Sequence, residues 1–292
     1  MFNGVIIVNQ ENNYHIKDKV ERLFIEAKKL DINLSVLVND GTIAKIDEKG
    51  NIVTNLKTDF VIYLDKDYYL AKLLKEAGYT LFNDPDFLKL CDDKMLTYIT
   101  LTNQGIPMPK TFAAPLIYHK LEEENYKFLD KVSNELGFPL VVKRVYGSLG
   151  EGVFLADNID ELKDIYSKNY MHPLLFQSFI DSSAGRSIRV IVIDNEVIGA
   201  FERYNEGDFR SNFGKSASSK PIVLSDEYLK LVQKIASLLD IKYAGIDLLY
   251  GKDGPILCEI NSNAFFMEFE KVTGINVSRL FLEMIIKNVK KS

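Results

Sequence analysis

Residues Ala244 to Asn261 constrain the fold more than any other stretch. Two apolar runs, Ala-Gly-Ile-Asp-Leu-Leu-Tyr and Pro-Ile-Leu-Cys-Glu-Ile-Asn, flank Gly-Lys-Asp-Gly. That is the pattern of a β-hairpin. Buried strands do not tolerate polar residues without a reason, yet Asp247 sits in the first run, and Glu259 and Asn261 in the second. Side chains alternate along a strand, so Glu259 and Asn261 share a face. An odd-numbered loop such as Lys252-Asp253-Gly254 sets Asp247 opposite Glu259 on that same face. Two carboxylates and an amide then converge in an apolar setting, where like charges repel and desolvation adds to the cost. A divalent cation removes both problems. The donors are hard oxygens, with no Cys or His, so Mg²⁺ or Mn²⁺ suits them and zinc does not. The hairpin alone is equally compatible with Asp247 paired to a Lys or Arg and Glu259 at a hairpin edge.

The chain has 292 residues, enough for two or three lobes. No apolar run is long enough to span a bilayer, and Met1–Val8 reads as a first strand rather than a signal peptide. Cys91 and Cys258 are isolated, which makes a reducing cytoplasm the default and a disulfide framework untenable. His15, His119 and His172 have no ligand spacing. The net charge of −5 argues against a surface coated by nucleic acid, though not against a local basic cleft.

Strands alternate with helices over the first third: Gly4–Val8, Lys17–Leu30, Leu34–Val38, Phe60–Leu64, Tyr68–Ala77 and Tyr79–Phe82, with a small hairpin between Thr42 and Val53. This predicts a small, mostly parallel sheet flanked by helices. No Gly-x-Gly-x-x-Gly turn follows any strand, so a dinucleotide site is not expected there. A helix from about Phe87 or Asp92 to Gln104 comes next and carries Lys94. Leu140–Arg144 is a strand with Lys143 near its end, and Tyr146–Gly152 is a glycine-rich loop. Glycines expose backbone N–H groups and let a phosphate approach closely. The lysine precedes the glycines, so this is no Walker A loop, and a plain glycine-rich turn reads the same stretch as well. Ile188–Ile193 and Val197–Arg203 form another hairpin, and residues 204–220 read as a long polar loop. Ser225 caps a helix to Leu239, and a last helix spans about Val277 to Lys290.

Six segments occur in a telling order. They are Lys143 with its glycine loop, Gln177-Ser178-Phe179-Ile180, Ser187-Ile188-Arg189, Phe201-Glu202-Arg203 with Glu206–Asn212, Ala244–Asp247, and Cys258–Asn261. The series resembles the ATP-grasp ligases, most closely the RimK-like branch that adds glutamate to proteins or small molecules, from about Asp92 to the C-terminus. The resemblance implies an α/β chain of α+β lobes: an ATP-grasp fold behind an N-terminal Rossmann-like pre-ATP-grasp domain. The implied division is 1–90, 91–180 and 181–292. It implies a carboxylate–amine ligase using ATP, in which Asp247, Glu259 and Asn261 hold two Mg²⁺ ions, with Mn²⁺ as a substitute. Lys94 and Lys143 would contact phosphate, and Gly147, Ser148 and Gly150 would close over it. Gln177, Ser178, Phe179 and Ile180 would meet adenine, with Ser187 nearby. Arg203 would face the transferred phosphate. Arg210, Asn212 and Lys215 would line the carboxylate and amine pockets, Asn212 also touching the nucleotide. Self-association is compatible with this reading; nucleic acid and membrane are not expected partners.

Four positions depart from the family pattern. Ser178 stands where the hinge commonly has Glu, and Ser187 where Asp is usual. Lys215-Ser216-Ala217 replaces Arg-Gly-Gly, and Ser262-Asn263-Ala264-Phe265 replaces Ala-Ser-Pro-Gly. The substrate side is thus altered while the metal side is intact. A ligase joining small metabolites, or a nucleotide-binding regulator without turnover, are the alternatives.

Overall fold

The computed structural model describes residues 1–10, 14–148, 150–212 and 217–290. Its first segment comprises β1 (Phe2–Val8), α1 (Tyr14–Lys29), β2 (Ile32–Val38), β3 (Ala44–Ile46), β4 (Ile52–Thr54), β5 (Phe60–Tyr63), α2 (Tyr68–Glu76) and β6 (Leu81–Phe82). Four of these strands form a parallel sheet in the order β2-β1-β5-β6, and β3 and β4 form the small expected hairpin. The central strands are buried without interruption from Val5 to Val8 and from Phe60 to Tyr63, as parallel strands covered on both faces must be. Asp67 caps α2 by accepting from the amides of Tyr69 and Leu70.

The next helical stretch departs from expectation. It is two short helices, α3 (Pro85–Asp92) and α4 (Lys94–Thr100), rather than one. Asp93 is the reason. It adopts an extended conformation and accepts from the Leu96 amide at 2.9 Å, so it ends one helix and caps the next. Lys94 therefore starts α4 instead of riding mid-helix.

The second sheet is antiparallel. β7 (Thr111–Ala113), α5 (Lys127–Leu136), β8 (Leu140–Arg144), β9 (Val153–Ala156), α6 (Ile159–Asn169) and β10 (Leu174–Ser178) give the strand order β7-β10-β8-β9. Both helices pack on one face through Leu129, Val132, Leu162 and Tyr166, against Leu140, Val142 and Phe176.

The third sheet contains β11 (Arg186–Ile193), β12 (Glu196–Tyr204), β13 (Ser218–Ile222), β14 (Tyr243–Gly251) and β15 (Gly254–Asn261), in the order β13-β12-β11-β14-β15. α7 (Asp226–Leu239) precedes β14, and α8 (Met267–Thr273) and α9 (Val277–Val289) follow β15. β13 corrects the expected loop over 204–220. Its Ser-Ser-Lys-Pro-Ile has no apolar alternation and is held only as an edge strand, where Pro221 is tolerated. β11 shows why the sheet is two-sided. Ile188, Val190 and Val192 face α7, while Ile191 and Ile193 share a core with β1, β5, α1 and α9. Ser187 and Arg189 lie on this second face, beyond the apolar stretch. Among the described residues no helix is long and apolar enough to cross a membrane.

Candidate active site

The hairpin of β14 and β15 does bring Asp247 opposite Glu259, but not through the expected loop. The turn has two residues, Lys252 and Asp253, between paired Gly251 and Gly254. Such a turn alone would leave Asp247 out of phase. A bulge restores it: Leu248 pairs with Leu257, and Asp247 with Glu259, so Cys258 is the extra residue. Asn261 lies on the same face and donates Nδ2 to Glu259 Oε1 at 3.0 Å.

Neighbouring strands extend this face. Asp247 pairs with Arg189 on β11, and Ser187 pairs with Arg203 on β12. Arg189 grips both oxygens of Asp247, with Nη2 to Oδ2 at 2.6 Å and Nε to Oδ1. The pairing of Asp247 with an arginine, first raised as a rival to metal binding, is thus present together with the opposed carboxylates. Burial pushes the Asp247 carboxyl up, against the pull of Arg189. Burial acts the same way on Glu259, but Lys94 and the Asn261 amide outweigh it and hold that carboxyl down at about 2. Two facing carboxylates are thereby driven apart.

Arg203 is nearly buried, 3.7 Å from Asp247 Oδ1 and 3.8 Å from Glu268 Oε2. Burial first, then Arg189, lowers its guanidinium to about 10. Glu202 faces away, as alternation requires, and pairs with Arg186 and Lys220.

The second sheet faces these groups across a cleft. Lys94 is buried, not solvated: its Nζ donates to Gly147 O at 2.9 Å and Val145 O at 3.3 Å. Burial lowers its pKa in spite of the Glu259 charge. Lys143 Nζ lies 3.8 Å from Cys258 Sγ. Burial opposes its charge, but Cys258, Tyr98 and Glu259 prevail and raise its pKa. Gly147, Ser148 and Gly150 line the same cleft, as do Gln177, Ser178, Phe179 and Ile180. Ser178 is tied to the chain before β7, its amide donating to Lys110 O at 3.0 Å. Phe179 meets Phe209 edge to face at 6.2 Å.

Arg210 lines the same cleft. There it also pairs with Asp208 at 2.7 Å and donates Nη1 to Gly150 O at 3.0 Å and Val153 O at 3.3 Å, which ties the 208 loop to the glycine-rich loop. Ser187 Oγ and Ser211 Oγ are 2.6 Å apart, and Asn212 lines the cleft. Lys215 and Leu149 lie outside the described residues. Sequence reasoning missed Glu268, which accepts from Ser219 Oγ at 2.6 Å, because it rides on α8 and meets β13, and neither element was expected. It quoted Arg189 without a role. The signal was the two-residue spacing from Ser187, which puts both on one face.

Two carboxylates, two lysines and a glycine-rich loop thus line one cleft, with Asn261 bonded to one carboxylate and Arg203 3.7 Å from the other. Residues 91–285 match the RimK-like ATP-grasp domain family. The chain belongs to the RimK-like ATP-grasp family. Alpha-aminoadipate–LysW ligase LysX of Saccharolobus solfataricus is 30% identical over 80% of this chain and 88% of its own length. N-acetylaspartylglutamate synthase A of Homo sapiens is 31% identical over 75% of this RimK-like chain, which spans 55% of the synthase. D-alanine–D-alanine ligase of Bacillus anthracis, complexed with ATP, shares the fold at a TM-score of 0.76 and 19% identity, with coverage of 100% of this chain and 98% of that one. The α+β ATP-grasp architecture is therefore shown for this RimK-like protein, and with it membership of a ligase family.

Proposed function

We propose that the protein is an ATP-dependent carboxylate–amine ligase working through an acylphosphate. The observation that carries this is the convergence of Asp247, Glu259, Lys94 and Lys143 in one cleft, with Asn261 bonded to Glu259 and Arg203 3.7 Å from Asp247. The donor set fits a hard divalent cation: Glu259 is held ionised, and Asp247 and Asn261 offer oxygen on the same face. Among the described residues no three His, Cys, Asp or Glu side chains form a metal cage. Phosphate oxygens would complete the shell, as is usual for Mg²⁺ with few protein carboxylates. Bound there, Mg²⁺ would neutralise charge on the β- and γ-phosphates.

The chain's own residues divide the remaining work. Lys94 and Lys143 hold phosphate oxygens, and the Gly147–Gly152 loop covers them. Gln177 to Ile180 receive the adenine. A substrate carboxylate oxygen attacks the γ-phosphorus and ADP leaves. An amine nitrogen then attacks the acyl carbon, the carbonyl oxygen takes up negative charge beside Arg203, and phosphate leaves as the amine gives up a proton. Basic groups around the cleft favour anionic substrates, and relatives named as an N-acetylaspartylglutamate synthase and an α-aminoadipate–LysW ligase support an acidic amino acid as one of them. The division into 1–90, 91–180 and 181–292 and a cytoplasmic location belong to the same reading.

The test is ADP release by the purified chain with Mg²⁺-ATP and a panel of carboxylates and amines that includes glutamate, N-acetylaspartate and α-aminoadipate. Release that needs one acid and one amine together, with a new amide in the mass spectrum, supports the proposal. ADP release independent of any pair, or none at all, overturns it.

A further inference from the structure

The ladder between β14 and β15 ends at the pair Gly245 and Asn261. Asn261, one of the three oxygen donors, is thus the last paired residue of its strand. Beyond it Ala244 and Tyr243 still pair with Val192 and Ile193 of β11, but the chain after Asn261 and the β14 edge that faced it have no further rung between them and should separate. They do not, and the reason lies outside the hairpin. Asn83, just after β6 in the first segment, fills the place of the next rung. Its Nδ2 donates to Ser262 O at 2.6 Å and to Tyr243 O at 2.8 Å, and its Oδ1 accepts from the Tyr243 amide at 3.2 Å. Asn83 is 2% exposed, and these three side-chain hydrogen bonds all go to the open end of the hairpin.

Neighbouring contacts reinforce the same end. Lys19 Nζ on α1 donates to Ala264 O at 3.2 Å, the Tyr243 hydroxyl donates to that carbonyl at 2.6 Å, and Asn263 Nδ2 donates to Asp65 O at 3.3 Å. Asn83, Lys19 and Asp65 all precede residue 91, where the family match begins.

We infer that Asn83 is a positioning residue that fixes the spacing of Asp247, Glu259 and Asn261, so that the first sheet helps to set the affinity of the ligase cleft for a divalent cation. This rests on the reading of those three residues as the cation's donors. Side chains that orient metal donors without touching the metal usually matter by ~10–100-fold in affinity. Asn83→Ala leaves the backbone groups of Tyr243 and Ser262 without their partner and lets Asn261 drift. A purely structural asparagine would lower stability and leave the metal constant alone.

The experiment uses the full chain and two titrations: Mn²⁺ binding followed by electron paramagnetic resonance in the presence of a non-hydrolysable ATP analogue, and binding of the analogue in EDTA. Asn83→Ala is expected to weaken Mn²⁺ binding by about tenfold while analogue binding in EDTA stays within about twofold. Asn83→Ser, which keeps one short donor and guards against a misfolded alanine variant, should fall between. Glu259→Gln serves as the control. If Glu259→Gln loses Mn²⁺ and both Asn83 variants bind it as the wild type does, the positioning role is overturned and the metal reading stands. If Glu259→Gln also binds Mn²⁺ unchanged, the metal reading itself fails, and this inference with it.

Discussion

Arg189 and Asp247 face one another across β11 and β14 and form a bidentate ion pair in the floor of the cleft. Each side chain is only 6% exposed. Removing one partner of such a pair leaves the other charge buried and alone, which typically costs ~3–5 kcal/mol. Arg189→Ala should therefore destabilise the protein by about that much, read from urea unfolding. A loss below about 1 kcal/mol would mean that Asp247 finds another cation or takes up a proton at little cost.

The same pair determines which variant probes the chemistry most cleanly. Asp247→Asn disturbs Arg189 as well as any metal, so a loss of activity could have either origin. Glu259→Gln keeps the volume and leaves the ion pair in place. It should abolish Mg²⁺-dependent turnover in a chain that stays folded, as circular dichroism would show, though less stable for losing the carboxylate that faces Lys94. Near-normal turnover at saturating Mg²⁺ would contradict the assignment of Glu259.

Arg203 lies within 4 Å of two carboxylates without a close bond to either. That arrangement suits a guanidinium waiting for an anion. Arg203→Lys loses the planar fork and should lower kcat by about two orders of magnitude, the scale of one lost oxyanion donor. ATP affinity should hardly change. Weaker ATP binding with kcat preserved at saturation would recast Arg203 as a nucleotide clamp.

The glycine-rich loop is held by polar contacts, from Lys94 to the carbonyl of Gly147 and from Arg210 to that of Gly150. Its described residues, Gly147, Ser148, Gly150, Glu151 and Gly152, carry no apolar side chain, so it should exchange amide protons quickly and become protected when nucleotide binds. Hydrogen exchange over residues 147–152 with and without Mg²⁺-ATP measures this. Equal exchange in both states would exclude a phosphate lid.

Lys19 yields a pH prediction. It is buried over the rings of Tyr243 and Phe266, and burial lowers its pKa from 10.5 to about 7. Between those values the unfolded chain carries the proton and the folded chain does not, so stability rises with pH there, by up to about 1.4 kcal/mol per unit for this group alone. Below about pH 7 both states are protonated and the penalty of the buried charge is constant. Lys19→Met should remove the rising limb. The difference between wild-type and variant melting temperatures from pH 6 to pH 10 checks it, and a constant difference would place the Lys19 titration elsewhere.

Much of this protein is written in short-range sequence. Asp67 capping α2, the apolar runs of β1 and β5, and the strand ends of β14 and β15 depend on residues a few positions apart, so period, caps and turn residues betray them. The ordered segments from Lys143 to Asn261 carried the family as well. Other features depend on partners far apart in the chain. The bulge at Cys258, and not the length of the turn, brings Asp247 into phase with Glu259. Sheet order sets Arg189 beside Asp247, and the burial that results makes their pairing strong. β13 exists because β12 offers it an edge, and Asn83 reaches Tyr243 and Ser262 from another sheet entirely. Local signals record what each segment prefers alone. Which polar groups must satisfy one another is decided only when packing removes the water that would otherwise serve them all.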